Sequence, residues 1–100
     1  MKTYKLKITS RATLHLEDIY NYIAQDSIIA AQRFEKHLKD EIHTLKIFPN
    51  AFPQFHFPKL TNFSLRVKII DKGYLIVYEV DELFAEVIIH AIIHASQNID

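Results

Sequence analysis

Leu16-Glu17-Asp18-Ile19-Tyr20-Asn21-Tyr22-Ile23, followed after a short gap by Ala31-Gln32-Arg33-Phe34, is the stretch that decides the fold. Ala12, Leu16, Ile19, Tyr20 and Ile23 recur at offsets of 4, 7, 8 and 11, which places all five on one stripe of a 3.6-residue helix. Ser10 stands where an N-cap belongs. A second helix carries Ala31, Phe34, Leu38, Ile42, Leu45 and Phe48 at the same period after a cap at Ser27. Pro49 closes it, because proline cannot continue the backbone ladder. The spacing predicts a helical hairpin with one apolar face.

On either side of the hairpin the period changes from 3.6 to 2. Tyr4, Leu6 and Ile8 alternate with Lys5, Lys7 and Thr9, the pattern of a half-buried strand. Lys5 and Lys7 read as solvated lysines that discourage sheet-to-sheet aggregation at an edge. After the hairpin, residues 49–60 hold all three prolines together with Phe52, Phe55 and Phe57, and no period. They read as an irregular connection whose phenylalanines anchor it to the core, base stacking being the other use of such rings. Strands are then expected over 63–70, 74–80 and 84 to about 94, with tight turns at Lys72-Gly73 and Glu82-Leu83.

A two-residue turn placing Asp71 opposite Tyr74 would set Val67 against Tyr78, Ile69 against Ile76, and Arg66 against Glu79. Leu65, Val67, Ile69, Ile76, Tyr78, Val80, Val87, Ile89, Ala91 and Ile93 would then point one way, for the hairpin to cover. The open face would carry Arg66, Lys68, Glu79, Glu86, His90 and His94, and also Leu75, Val77, Ile88 and Ile92. That is more exposed aliphatic surface than a free monomer usually leaves, and it marks a partner surface.

At 100 residues and 49% apolar composition the expectation is a single domain over 1–100 with a core that requires no disulfide or structural metal. Cysteine is absent, the amino end is charged, and no apolar run nears the ~18 residues of a membrane span, so a cytoplasmic location is expected. Twelve basic residues balance twelve acidic ones, so a charge-driven grip on nucleic acid would require a local patch. There is no Gly-rich phosphate loop, nucleophile elbow or Ser/His/Asp arrangement, and no cofactor is expected. His90 and His94, four apart in a strand, would be ~13 Å apart, too far to share a metal ion.

The order strand, helical hairpin, loop and three-strand meander resembles the RelE/ParE superfamily of toxins from bacterial type II toxin–antitoxin, or plasmid stabilisation, modules. The similar residues are Ala12, Leu16, Ile19, Tyr22 and Ile23 with Asp18 beside them, then Ala31, Arg33 and Phe34, and a helix end at Leu45 and Pro49. The strand half adds Arg66, Tyr74-Leu75-Ile76-Val77-Tyr78 and Ile93-His94. The resemblance implies an α+β fold with the hairpin packed on one face of a mainly antiparallel sheet. It also implies a growth-inhibiting toxin, silenced by an antitoxin wrapped over it in a hetero-oligomer. Relatives of the RelE kind cut mRNA on the ribosome with basic side chains at the scissile phosphate; those of the ParE kind block DNA gyrase.

Members commonly end in His-x-x-Arg, whereas this chain reads His94-Ala95-Ser96-Gln97. A neutral amide cannot offset the charge of a pentavalent phosphate, which favours the ParE-like, gyrase-binding reading. An mRNA endonuclease using Arg66, Lys68 and His94 is the alternative, and a degenerate relative that only binds antitoxin is another. Arg66 either holds a phosphate or an antitoxin carboxylate, or pairs with Glu79. His94 either carries a proton or fastens the chain end. The expected antitoxin or target surface comprises Arg66, Lys68, Leu75, Val77, Ile88, His90, Ile92, His94 and Gln97.

Overall fold

The computed structural model describes residues 3–55, 65–70 and 73–96. Strand β1 (Lys5–Ile8) leads into helices α1 (Ser10–Asp26) and α2 (Ile28–Leu45), followed by β2 (Gln54–Phe55), β3 (Leu65–Ile70), β4 (Tyr74–Asp81) and β5 (Glu86–His94). The fold is α+β, with the helical hairpin against one face of a five-stranded sheet of order β1-β5-β4-β3-β2. β1 lies parallel to β5 at one edge, and every other pairing is antiparallel. β2 went unanticipated, because two residues are too few to show a period.

Thr9, not Ser10, caps α1. The Thr9 Oγ1 accepts the Ala12 N–H at 3.1 Å, and Ser10 is already helical. Thr9 gives its own N–H to the Ile89 carbonyl at 3.1 Å, which holds it extended, as a cap must be. Ser27 is the single residue between the helices. Its N–H closes α1 on the Ile23 carbonyl at 3.0 Å, and its hydroxyl accepts the Ala30 N–H at 3.1 Å to start α2. Ala12, Ala31, Leu38, Ile42 and Leu45 are buried as their stripes require, with Leu16, Ile19 and Phe34 packed against them. α2 stops at Leu45 rather than at Pro49, and the turn after it leaves Phe48 54% exposed.

The sheet departs from the expected register in two places. Ile70 pairs with Tyr74, Lys68 with Ile76, Arg66 with Tyr78 and Val67 with Val77. Three residues, 71–73, therefore join β3 to β4, with Gly73 at φ 82°, the positive angle that three-residue hairpins place at their last position. A slip of one residue exchanges the faces of the whole strand. Leu65, Val67 and Ile69 thus lie on the face away from the helices, while Arg66 and Lys68 lie on the helix side.

The second departure is a bulge, since Val77 pairs with Ala91 but Tyr78 with Ile89, leaving His90 as the extra residue of β5. Val87 and Ile89 face the helices as expected. Beyond the bulge the faces exchange: Ile92 and His94 fall on the helix side, Ala91 and Ile93 on the far side. The turn before β5 spans Glu82 to Ala85, with Ala85 at φ 50°, so Phe84 lies in the turn, 69% exposed.

Both faces of the sheet are apolar and largely buried. The helix-side core joins Tyr4, Ala12, Leu38, Ile42 and Leu45 to Ile70, Ile76, Tyr78, Val87, Ile89 and Ile92. A second cluster on the far face contains Leu65, Val67, Val77, Ala91 and Ile93, with Leu75 packed against it. Phe52 packs on the helix-side core, whereas Phe55 is 52% exposed. Phe57, Lys72 and the expected start of β3 at Phe63 lie outside the described residues. No helix among the described residues is long and apolar enough to cross a membrane.

Candidate functional site

The register places Arg66 and Lys68 at the inner surface of the sheet, and both are engaged there. The Lys68 ammonium pairs with the Glu41 carboxylate on α2, its side chain only 9% exposed, and lies 4.8 Å from the centre of the Phe52 ring. Arg66 donates through Nη1 to the Phe52 carbonyl at 2.6 Å and reaches the Asn50 carbonyl at 3.5 Å. Beside it the Tyr78 hydroxyl donates to the Pro49 carbonyl at 2.7 Å. Burial pushes the Tyr78 phenol up to about 12, against the opposing pull of the Arg66 guanidinium. The two cations fasten α2 and the 49–52 turn to β3. Glu41 was missed in the sequence because its charge is ordinary on a helix surface until β3 lies against it.

Glu79 pairs with His90, not Arg66. The imidazole Nε2 and the carboxylate stand 2.9 Å apart on the far face, both side chains mostly covered. The apolar residues expected to form an exposed patch divide. Val77 is fully buried and Ile92 is 2% exposed, each on a different face; Leu75 and Ile88 are half-buried. The reason is the bulge together with the far-face cluster, which covers the centre of β4. His90 and His94 lie on opposite faces, and Gln97 lies outside the described residues.

His94 sits at the other end of the sheet in an aromatic row. Its ring meets Tyr74 edge-on with centroids 5.1 Å apart, and Tyr74 in turn meets Phe34 at 4.9 Å. The His94 Nδ1 accepts the Ser96 N–H at 3.2 Å and lies 2.7 Å from the Ser96 hydroxyl. The positive φ of Gly73 lets the chain pass this ring: a Cβ there would stand 3.6 Å from His94 Nε2. Between this row and α1 opens a cleft of about 450 Å³, lined by Asp18, Ile19, Tyr22, Tyr74, His94 and Ser96. Asp18 and Tyr22 are one helical turn apart, the spacing through which the sequence could have shown them as a pair.

At the β1 edge, the Tyr4 hydroxyl donates to the Glu82 carboxylate, whose oxygens lie at 2.9 and 3.0 Å. That bond, reinforced by burial, raises the phenol above its ordinary range. Leu6 and Ile8 are 36% and 40% exposed on this edge. Lys5 and Thr9 give their N–H groups toward β5, so in the alternating ladder those of Leu6 and Ile8 point outward. Leu14, 58% exposed, and Tyr22, 72% exposed, continue the apolar surface along α1.

A solved structure described as the chromosomal ParDE TA system from P. aeruginosa has the same fold, with a TM-score of 0.76 and 17% identity over 96% of this chain and 100% of that one. Among curated proteins, none matches the chain significantly. Residues 6–99 match the family described as the ParE toxin of type II toxin-antitoxin systems, parDE, and the chain belongs to that family.

Proposed function

We propose that this toxin acts by binding DNA gyrase in the cytoplasm, without chemistry of its own, and that an antitoxin silences it by covering part of its surface. The engagement of the two candidate cations, Arg66 and Lys68, carries this reading. An mRNA endonuclease must aim positive groups at a phosphate whose charge grows in the transition state. Here Lys68 is committed to Glu41 and Arg66 to two loop carbonyls. Counting strands and residues along the sheet, His94 lies roughly 16 Å from Arg66. The balance of twelve basic and twelve acidic residues agrees with a partner recognised by shape and apolar contact.

An antitoxin is expected from the family and from the likeness to a toxin–antitoxin system. Its surface is best sought at the outer edge of β1, where Leu6, Ile8 and the outward backbone groups can accept an added strand, and along Leu14 and Tyr22 of α1.

Purified protein should inhibit supercoiling by gyrase, and expression without antitoxin should cause filamentation and a DNA-damage response rather than an immediate halt in translation. Site-specific mRNA cuts made by the wild type, and lost in an equally folded Arg66→Ala variant, would replace this reading with the endonuclease. A protein that affects neither gyrase nor translation is the degenerate relative.

A further inference from the structure

We infer that the cleft between α1 and the end of β5 receives an arginine side chain of the antitoxin, its guanidinium meeting the Asp18 carboxylate between the rings of Tyr22 and Tyr74. The inference rests on the antitoxin reading above. The cleft, about 450 Å³ in volume, has room for such a chain. One wall is packed: Tyr74 lies against both Phe34 and His94, with ring centroids 4.9 and 5.1 Å away, and His94 is hydrogen-bonded to Ser96. The other wall is α1, where Tyr22 stands 72% exposed one turn beyond Asp18. A flat cation suits a cleft lined by two tyrosines, and the fork of a guanidinium suits the Asp18 carboxylate that lines it with them.

Charge points the same way. Asp18 takes part in no ion pair among the described residues. The last turn of α1 carries no basic residue, so that turn supplies no cation of its own to offset the negative end of the helix beside Tyr22. The cleft also continues the surface assigned to the antitoxin. Leu14, Asp18 and Tyr22 follow one another at four-residue spacing along α1, and α1 begins where β1 ends. A partner segment laid along the β1 edge and up this stripe arrives at the cleft.

The test has two arms. In the first, isotope-labelled toxin is titrated with N-acetyl-arginine-N′-methylamide and with the matching citrulline compound, which has the shape without the charge. Saturable amide shifts confined to residues 18–22, 74 and 94–96 are expected with arginine only, weakened at least about tenfold in Asp18→Asn. In the second, the antitoxin encoded beside this chain is titrated into wild type, Asp18→Asn and, as a control on the same helix, Glu17→Gln. Asp18→Asn should bind at least about tenfold more weakly and Glu17→Gln as wild type does.

Equal responses to arginine and citrulline, or an Asp18→Asn variant that holds antitoxin as tightly as wild type, overturns the proposal and leaves the antitoxin reading intact. Wild type that binds no antitoxin while its cleft still saturates with the arginine compound overturns the antitoxin reading, and the assigned occupant with it.

Discussion

The Nδ1 of His15 on α1 accepts the backbone N–H of Ile92 on β5 at 3.2 Å. β1 pairs with β5 only as far as Ile89, and beyond that point a helix side chain takes over the role of the missing strand. Thr9 does the same one step earlier, donating its hydroxyl to the His90 carbonyl at 3.3 Å. The hairpin is thus joined to the sheet by polar contacts as well as by its apolar stripe.

His15 therefore has to be neutral to do its work. Burial, helped by the charge of Arg11, lowers its pKa from the ordinary 6.5, with Asp18 opposing. A base whose pKa is depressed on folding contributes stability that is fully present above its unfolded value and is lost as pH falls through 6.5 toward the folded value. Urea unfolding of the wild type at pH 7.5 and 5.5 should show this decline. His15→Leu should be less stable at the higher pH by about 1–3 kcal/mol, for an unsatisfied N–H, and should lack this share of the pH dependence.

Breaking the Lys68–Glu41 pair from either side strands a covered charge. Glu41→Gln is expected to cost about 2–3 kcal/mol, somewhat below the usual range for buried pairs because Glu41 is 28% exposed. The double change Glu41→Leu with Lys68→Met should recover most of that loss, since neither charge then remains. Thermal melts of the three proteins decide the matter, and recovery in the double variant would identify the pair as structural.

Two positions on the far face of β3 and β4 differ sharply under substitution with aspartate. Val77 is 0% exposed, so Val77→Asp should unfold the protein or cost more than about 4 kcal/mol. Ile69, on the same face, is 71% exposed, and Ile69→Asp should stay within about 0.5 kcal/mol of wild type. Circular dichroism of the two variants would check both the burial and the register, because the expected register reversed the face of Ile69.

The helix cap gives a local check. Thr9→Ala should destabilise by about 1 kcal/mol, because the Ala12 N–H loses its acceptor. Ser10→Ala should change stability by less than about 0.5 kcal/mol. Chemical denaturation of the two variants would show the reverse order if Ser10 were the cap.

The sequence by itself determined the element order apart from β2, both helices, the Ser27 cap and, to within a residue, the extent of β4. These rest on interactions between residues close along the chain: a 3.6-residue stripe needs only its own members, and a hydroxyl caps the helix three residues ahead of it. It also carried enough of the family's pattern to identify the superfamily. Tertiary structure alone decided which residues share a face. β3 has apolar residues on both sides, Leu65, Val67 and Ile69 on one and Ile70 on the other, so alternation could not choose between them once both faces were buried.

One residue more in the loop at Gly73 and one extra residue at His90 then moved Arg66, Lys68, Ile92 and His94 to the helix side, and Ala91 and Ile93 away from it. The place of β1 beside β5 and the meeting of Asp18, Tyr22, Tyr74 and His94 depend on contacts between segments some 50 to 80 residues apart. No local pattern encodes such distances, because the free energy that selects them comes from closing the whole core at once.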